Sequence, residues 1–185
     1  MLVIIGKTCS GKDTIIRELV SKHGFKKLIT YTTRPIRKGE IRDVTYHFIS
    51  VDDFLEKVYN NFFAEHKQYK VADGSTWFYG CAIDDIRNAD DKTVVILTPD
   101  GYRDLITKFP ITRKSLKTIY VYANNHTIKK RLKKRGDSKD EAERRLKQDN
   151  FDFKGIENEV DKIVYNNDNN TIDEIIENIL RYLEK

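Results

Sequence analysis

The chain contains only two cysteines, Cys9 and Cys81, among its 185 residues. They lie far apart in the sequence and suggest no disulfide framework, so we expect a reduced, cytoplasmic setting. No run of apolar residues approaches the length needed to cross a bilayer, and the amino terminus leads into a predicted strand without the pattern of a cleavable signal peptide. These absences argue against a secreted disulfide scaffold and against a membrane partner.

Acidic residues are slightly fewer than basic ones. Lys and Arg total 34 against 29 Asp and Glu, which gives a formal net charge of +5. A basic balance suggests acidic ligands, and both nucleotides and nucleic acids satisfy that description. Hydrophobic residues make up 39% of the chain, as expected for a globular protein rather than a disordered one. We therefore expect one folded domain with a sizeable core.

Apolar strands alternate with helices along most of the chain, and no internal repeat is visible. The predicted strands are Leu2–Ile5, 93–97, 118–122 and Lys162–Tyr165. The predicted helices are Lys12–His23, 101–108, 126–134 and a last helix with a capping box of Thr171 and Glu174. Near-continuous apolar strands separated by helices indicate an α/β fold, with a parallel sheet flanked by helices on both faces.

The stretch from about residue 34 to residue 84 breaks this rhythm. Alternating patterns predict strands at 45–49, 62–69 and 77–82. A capping box of Ser50 and Asp53 predicts a short helix with four inward residues, which are Val51, Phe54, Leu55 and Val58. We therefore predict a small mixed α/β lobe at 34–84, inserted into a core formed by residues 1–33 and 85–185.

A glycine-rich run lies between the first predicted strand and the first predicted helix. Its residues are Gly6, Lys7, Thr8, Cys9, Ser10, Gly11, Lys12, Asp13 and Thr14. The glycines let the backbone turn sharply and approach a ligand, and the freed N–H groups with the helix dipole form a cradle for anionic oxygens. Lys12 can reach the terminal phosphates. Strand, glycine-rich turn and helix in this order predict a nucleoside triphosphate site.

One position of this loop departs from the usual pattern. A Ser or Thr normally follows the lysine directly, and its hydroxyl contacts magnesium. Here that position holds Asp13, and Thr14 comes next. Either Asp13 supplies a carboxylate to the metal or Thr14 takes the hydroxyl role, and the sequence leaves both open. Of the two, we take Asp13 as the candidate metal ligand and keep Thr14 as the alternative.

A second informative segment spans residues 32–40 and reads Thr-Thr-Arg-Pro-Ile-Arg-Lys-Gly-Glu, followed by Tyr46. Arg34 and Arg37 offer planar, forked donors suited to phosphate, and Pro35 stiffens the turn between them. Two arginines in a loop are usually solvated, but their place after a phosphate loop favours a second anion site.

With both segments in view, the chain resembles the guanylate kinase family. The resemblance continues through Phe63-Ala64-Glu65, Phe78-Tyr79-Gly80, Lys129-Lys130-Arg131-Leu132 and Arg135-Gly136, and it covers most of the chain. It implies a P-loop kinase core that binds ATP with Mg²⁺, an inserted lobe at 34–84 that binds GMP, and a mobile helical lid at about 131–150.

The resemblance also implies roles for individual residues. GMP phosphate contacts fall on Arg34, Arg37, Tyr46 and Tyr79. Glu65 matches the residue that recognises the guanine base. Its carboxylate can accept hydrogen bonds from N1–H and N2–H together, whereas adenine would leave the carboxylate without these donors. Thr30, Cys81 and Asp100 complete the predicted GMP site. Two departures cluster at this pocket: Cys81 replaces a small hydroxyl residue, and Thr98 replaces an aspartate.

Arginines and an asparagine of the last third match further nucleotide contacts of the family. Arg131, Arg135 and Arg145 match lid and nucleotide-contacting arginines, and Asn166 matches a position near the adenine ring. The basic run at 129–135 also suggests nucleic-acid binding. Acidic residues follow it at once, however, and a continuous polyanion track would tolerate them poorly. They are Asp137, Asp140, Glu141 and Glu143.

The resulting prediction is phosphoryl transfer from ATP to GMP, which yields ADP and GDP. Lys12, Arg34, Arg135 and Arg145 are the candidate catalytic residues. Two alternatives remain open: a small P-loop kinase for another phosphorylated acceptor, and a guanylate-kinase-like binding module without catalysis. The sequence does not indicate an oligomeric state.

Overall fold

The computed structural model describes residues 1–71, 73–109 and 116–184. The strands in chain order are β1 (Leu2–Ile5), β2 (Lys26–Lys27), β3 (Tyr31–Thr32), β4 (His47–Phe48), β5 (Phe63–Lys70), β6 (Thr76–Ala82), β7 (Thr93–Ile96), β8 (Lys117–Tyr122) and β9 (Lys162–Tyr165). The helices are α1 (Lys12–His23), α2 (Val51–Tyr59), α3 (Ile83–Arg87), α4 (Pro99–Lys108), α5 (Asn125–Arg135), α6 (Lys139–Asp152) and α7 (Ile172–Leu183). A short 3-10 helix, Ile156–Asn158, precedes β9.

The larger sheet has five parallel strands in the order β2-β7-β1-β8-β9. Its central strand β1 is buried along its whole length and alternates between two cores. Val3 and Ile5 belong to one apolar cluster with Tyr102 of α4, whereas Leu2 and Ile4 belong to another with α1 and α7. Burial on both faces explains why β1 reads as a continuous apolar run. The predicted parallel α/β core is confirmed.

The smaller sheet is mixed and has the order β4-β3-β6-β5. Strand β3 pairs parallel with β4 and antiparallel with β6, and β6 pairs antiparallel with β5. The predicted pairing of strands near 62–69 and 77–82 is therefore confirmed. The predicted strand at 45–49 is reduced to the two residues of β4. This sheet also takes in β3, which lies before residue 34; the division into a core and an inserted lobe stays a prediction.

Helix α2 corrects one prediction about packing. Its capping box of Ser50 and Asp53 forms as expected, and Phe54 is buried against Phe63 with ring centroids 4.5 Å apart. Val51 and Leu55, however, are 41% and 47% exposed. Phe54 packs on Phe63 and Phe78 of the smaller sheet, and Val58 is half-buried, so only part of the predicted inward face is covered.

The ends of the other helices follow their local signals. The N–H of Gly24 bonds to Leu19 with φ +70°, which ends α1 as a left-handed cap. Thr171 and Glu174 form the predicted capping box of α7. Both cysteines are free. Within the described ranges, no helix combines the length and apolar character that a bilayer span requires.

Candidate active site

The phosphate loop joins the end of β1 to the start of α1, and two glycines make its path possible. A Cβ on Gly6 would lie 2.5 Å from Ser10 Oγ and 2.8 Å from the carbonyl oxygen of Val121. Gly11 has φ +99°, a left-handed conformation that side chains disfavour. The loop is thus packed tightly against β8 and turns at Gly11 directly into the helix.

The side chain of Lys12 folds back over the phosphate loop. Its Nζ donates to the carbonyl oxygens of Gly6 at 2.6 Å and Lys7 at 2.8 Å. Burial lowers the pKa of this ammonium group, while Asp13 and Asp149 oppose that shift. The loop therefore places one cation and the positive end of α1 at the same point, an arrangement suited to a polyphosphate.

Asn166 and Arg131 support the loop from outside. Asn166 Nδ2 donates to the carbonyl oxygen of Ser10 at 2.7 Å. The Arg131 guanidinium donates to the carbonyl oxygens of Cys9 and Ser10, both at 3.3 Å, and to Asn166 Oδ1 at 3.2 Å. A Cβ on Gly11 would stand 2.1 Å from Asn166 Nδ2, so a glycine is needed for this contact as well as for the turn.

A cavity of about 540 Å³ opens on this side of the loop. Eight of the predicted site residues line it: Cys9, Gly11, Lys12, Asp13, Thr14, Arg131, Arg135 and Asn166. Asp13 is exposed in the first turn of α1. In the described residues, no three His, Cys, Asp or Glu side chains are grouped so as to hold a metal ion. A carboxylate that borders a polyphosphate cradle suits Mg²⁺, which commonly combines one or two carboxylates with phosphate oxygens and water.

A second cavity, of about 260 Å³, lies between the loop and the smaller sheet. Eight predicted site residues line it: Gly6, Thr8, Lys12, Thr30, Tyr46, Glu65, Tyr79 and Arg145. Lys12 lines both cavities. Six predicted residues line neither of them, and these are Lys7, Ser10, Arg34, Arg37, Cys81 and Asp100.

Arg34 is buried below the second cavity's aromatic wall, with only 4% of its surface exposed. Its guanidinium donates to both carboxylate oxygens of Glu40, at 2.7 and 2.5 Å, and lies 5.0 Å from the ring centre of Tyr46. Burial raises the pKa of Tyr46 to about 12, so this phenol stays protonated and can donate. Arg37 is exposed and lies 6.0 Å from the ring centre of Trp77.

Glu65 of β5 is the buried carboxylate of the second cavity, with 6% of its surface exposed. Burial raises its pKa to about 7. Tyr69, on the same face of the strand, also lines the cavity and hydrogen-bonds to Thr98. Sequence reasoning did not single out Tyr69, although its spacing of two strand periods from Glu65 places it on the same face.

Cys81 and Asp100 lie beside this pocket rather than in its lining. Cys81 is paired with Glu65 across the strands and is fully buried in the same apolar cluster as Tyr102; burial raises the pKa of its thiol. Asp100 forms an ion pair with Arg103 at 2.9 Å. Their contact with a bound nucleotide therefore stays a prediction.

Two arginines of the predicted lid, Arg135 and Arg145, are paired with acids of the same segment. Arg135 forms a two-pronged contact with Asp137 at 2.6 and 2.7 Å. Arg145 bonds to Glu141 at 2.6 Å and approaches Asp137 to 3.8 Å. Asp137 and Glu141, two of the acids that argue against a nucleic-acid track, thus hold these two arginines. Arg135 lines the first cavity and Arg145 lines the second.

Helix α6 also touches the phosphate loop, a contact that sequence reasoning missed. Asp149 Oδ2 accepts from the backbone N–H of Thr8 at 2.7 Å, and Lys7 Nζ donates to Asn150 Oδ1 at 2.7 Å. Burial raises the pKa of Asp149. The pairing spans 141 residues of sequence, and no local pattern marks it.

Comparison with known proteins agrees with this geometry. The sequence model of the family described as guanylate kinase matches residues 1–185. A guanylate kinase from Prochlorococcus marinus is 28% identical over 189 residues, which cover 100% of this chain and 96% of that protein. One from Hydrogenovibrio crunogenus is 32% identical over 172 residues, covering 90% of this chain and 80% of that protein.

A solved structure supports the fold. The crystal structure of guanylate kinase from Anaplasma phagocytophilum aligns with a TM-score of 0.72 and 22% identity, covering 100% of this chain and 84% of that one. The resemblance recognised in the phosphate loop and the arginine segment is therefore confirmed. Because the family match spans the whole sequence and the fold agrees with it, this chain belongs to the guanylate kinase family of nucleoside monophosphate kinases.

Proposed function

We propose that this protein transfers the terminal phosphoryl group of ATP to GMP, giving ADP and GDP. The observation that carries the proposal is the position of Lys12, which lines both cavities. Phosphoryl transfer needs a donor and an acceptor held in line with their phosphates adjacent. Two cavities that meet at the phosphate loop satisfy that requirement.

The donor belongs in the cavity that Asp13, Arg131 and Asn166 border. The amides of the loop and the ammonium group of Lys12 would hold its phosphates, and the 540 Å³ cavity would take the adenosine. Mg²⁺ bound with the triphosphate would neutralise charge on the transferring group. Asp13 is the carboxylate that this chain offers to the ion, and the hydroxyl of Thr14 is the alternative.

The acceptor belongs in the cavity on the side of the smaller sheet. Tyr46 and Tyr79 line this cavity and would bind its phosphate. Arg34, whose guanidinium Glu40 fixes in advance, and the exposed Arg37 lie outside the present lining and would join them when the nucleotide binds. Glu65 would accept from the two adjacent N–H groups of guanine. A buried carboxylate rejects a base that leaves it unpaired, which is the basis of discrimination against adenine.

The chemical step requires no general base, because the acceptor phosphate is already anionic. Arg135 and Arg145 would turn from their acidic partners to the transferring group when residues of about 131–150 close as a lid. Arginines that stabilise charge in this transition state contribute on the order of 10³–10⁵ in rate. Closure would also exclude water and suppress ATP hydrolysis.

The test is a panel of GMP, dGMP, AMP, CMP and UMP, each supplied with ATP and Mg²⁺ while ADP release is followed. We expect GMP to have the highest kcat/KM. Lys12→Ala should remove activity with GMP, whereas Lys133→Ala, on an exposed position of α5, should leave it intact. Activity that survives Lys12→Ala would contradict the proposed donor site.

One observation favours a second candidate, a kinase for another phosphorylated acceptor. Cys81 is fully buried and does not line the cavity, whereas Thr98 lines it with a neutral hydroxyl, which also caps α4 through Gly101. Neither position therefore offers the cavity the group that the family resemblance implies there. If a non-guanine acceptor in the same panel is turned over as well as GMP or better, this second candidate replaces the first.

A further inference from the structure

Gly101 occupies the first turn of α4, where its backbone conformation does not call for glycine. Its φ lies outside the left-handed region, unlike that of Gly11 or Gly24. Glycine disfavours a helix relative to alanine, so a glycine here weakens α4 unless something else requires it. The requirement therefore has to come from what the missing side chain leaves room for.

The space beside Gly101 is filled by the carboxylate of Glu65. A Cβ built on Gly101 would lie 2.7 Å from Glu65 Oε2, 3.2 Å from Glu65 Cδ and 3.2 Å from Thr98 Oγ1. The first distance is shorter than a van der Waals contact allows. If residue 101 carries a side chain, α4 and the carboxylate therefore cannot both keep their present places.

The relative position of α4 and β5 is fixed close by. Lys67 Nζ and Asp104 Oδ2 form an ion pair at 2.9 Å, two residues along the strand and three along the helix from the Glu65–Gly101 contact. The hydroxyl of Thr98 accepts from the N–H of Gly101 at 3.0 Å and holds the first turn of the helix. With the helix held at both points, a side chain at residue 101 would displace the Glu65 carboxylate rather than the helix.

Packing rather than hydrogen bonding orients Glu65. In the described parts of the chain, no donor forms a hydrogen bond or ion pair with its carboxylate. Its β5 backbone is set by pairing with Cys81, and its carboxyl group occupies the space that a Cβ on residue 101 would need. The direction in which the two oxygens face the cavity therefore depends on the space at residue 101.

We propose that Gly101 is a positioning residue for base recognition: its lack of a side chain sets where the Glu65 carboxylate meets the acceptor base. The inference rests on the proposed function, because it concerns how the same site distinguishes GMP from nucleotides with other bases. Gly101 contacts no substrate in this account, and it acts through Glu65 alone.

The central experiment compares GMP with IMP, which lacks the exocyclic N2 amine, in wild type and in Gly101→Ala. We expect kcat/KM for GMP to fall more than tenfold, the ratio of GMP to IMP activity to approach one, and KM for ATP to stay within twofold. An unchanged GMP-to-IMP ratio in Gly101→Ala would overturn the inference while leaving the proposed function in place.

A double-variant cycle separates this role from a merely structural one. In a Glu65→Ala background the carboxylate is gone, so adding Gly101→Ala should change kcat/KM for GMP by less than twofold. In a Glu65→Asp background the carboxylate is shorter, so Gly101→Ala should cost less than it does in wild type. Equal losses in all backgrounds would contradict a role through Glu65.

Folding is followed by thermal unfolding of every variant. If Gly101→Ala alone lowers the melting temperature, adding Glu65→Ala should restore it, because the clashing carboxylate has been removed; absence of that rescue would count against the contact. If the wild-type protein is inactive with GMP, the proposed function and this inference are overturned together. If the wild type is active but Gly101→Ala has the same GMP-to-IMP activity ratio, only this inference is overturned.

Discussion

The carboxylate of Asp149 accepts a 2.7 Å hydrogen bond from the backbone N–H of Thr8. This contact places a negative side chain of α6 on one of the amides that a phosphate loop uses for its ligand, close to the cations Lys7 and Lys12. An anionic oxygen of a bound triphosphate would compete for the same amide. Asp149 and the donor phosphates are therefore expected to oppose one another.

Asp149→Ala should consequently strengthen donor binding. Removal of the carboxylate frees the Thr8 amide and lifts a like-charge repulsion, so we expect KM for ATP to fall about threefold to tenfold, the range of ordinary charge–charge couplings. Because Asp149 also lines the acceptor cavity, its removal should lower KM for GMP in the same direction. Steady-state kinetics in both substrates measures the change, with Asp152→Ala of the same helix as the matched control. A rise in KM for ATP would show that Asp149 assists the donor instead.

Glu65 gives a pH dependence with a definite sign. Burial raises its pKa to about 7, and only the ionised form accepts from both N–H groups of guanine. In the free enzyme, kcat/KM for GMP should therefore fall tenfold per pH unit as the pH drops below about 7. Glu65→Gln should be much less active and should lack this limb. A profile for wild type that stays flat down to pH 5 would contradict the assignment.

The same carboxyl group affects stability. Because its pKa is higher in the folded chain than in the unfolded one, the folded state favours the protonated form, and stability is lost as the pH rises from about 4.5 to about 7. Glu65→Gln removes that loss and should raise the free energy of unfolding at pH 8 by about 1–3 kcal/mol. The gain should disappear at pH 4.5. Chemical denaturation at the two pH values measures both.

Loss of the partner of Arg34 and loss of Arg37 itself should affect stability differently, although the two arginines are only three residues apart. Arg34 is buried on Glu40, so Glu40→Ala leaves an unpaired buried charge and should cost about 3 kcal/mol of unfolding free energy, as well as raising KM for GMP. Arg37 is exposed, so Arg37→Ala should change stability by less than about 0.5 kcal/mol and raise KM for GMP alone. Urea unfolding and GMP kinetics distinguish the two; equal stability losses would contradict the difference in burial.

Local signals were sufficient to predict much of this fold. Strand β1 is a continuous apolar run. A glycine-rich loop and a helix that ends at Gly24 follow it, so its place in a parallel sheet could be predicted without tertiary information. Strands β2 and β3 have two residues each, which is too short for any periodicity. Val51 and Leu55 fit an inward pattern but are exposed, because burial depends on the partner surface and the smaller sheet does not cover them.

The candidate site divides in the same way. Lys12 and the loop glycines are recognisable because their spacing is local, and Arg34 because its segment is distinctive. The contact of Asp149 with Thr8 and that of Gly101 with Glu65 join distant parts of the chain. Asp149 and Gly101 belong to no motif. Their contacts are therefore revealed only by the packing of α6 on the loop and of α4 on β5.

Asp13 provides the last prediction, which separates the two readings of the departure that follows Lys12. If its carboxylate serves Mg²⁺, Asp13→Ala should raise the Mg²⁺ concentration needed for half-maximal activity about tenfold, the size of one lost charged interaction, and leave KM for GMP unchanged. Thr14→Ala tests the alternative hydroxyl in the same titration, and only the true ligand should shift it. If neither variant does, Asp13 is an exposed acid in the first turn of α1, where the helix dipole favours it, and the ion is held by phosphate oxygens and water alone.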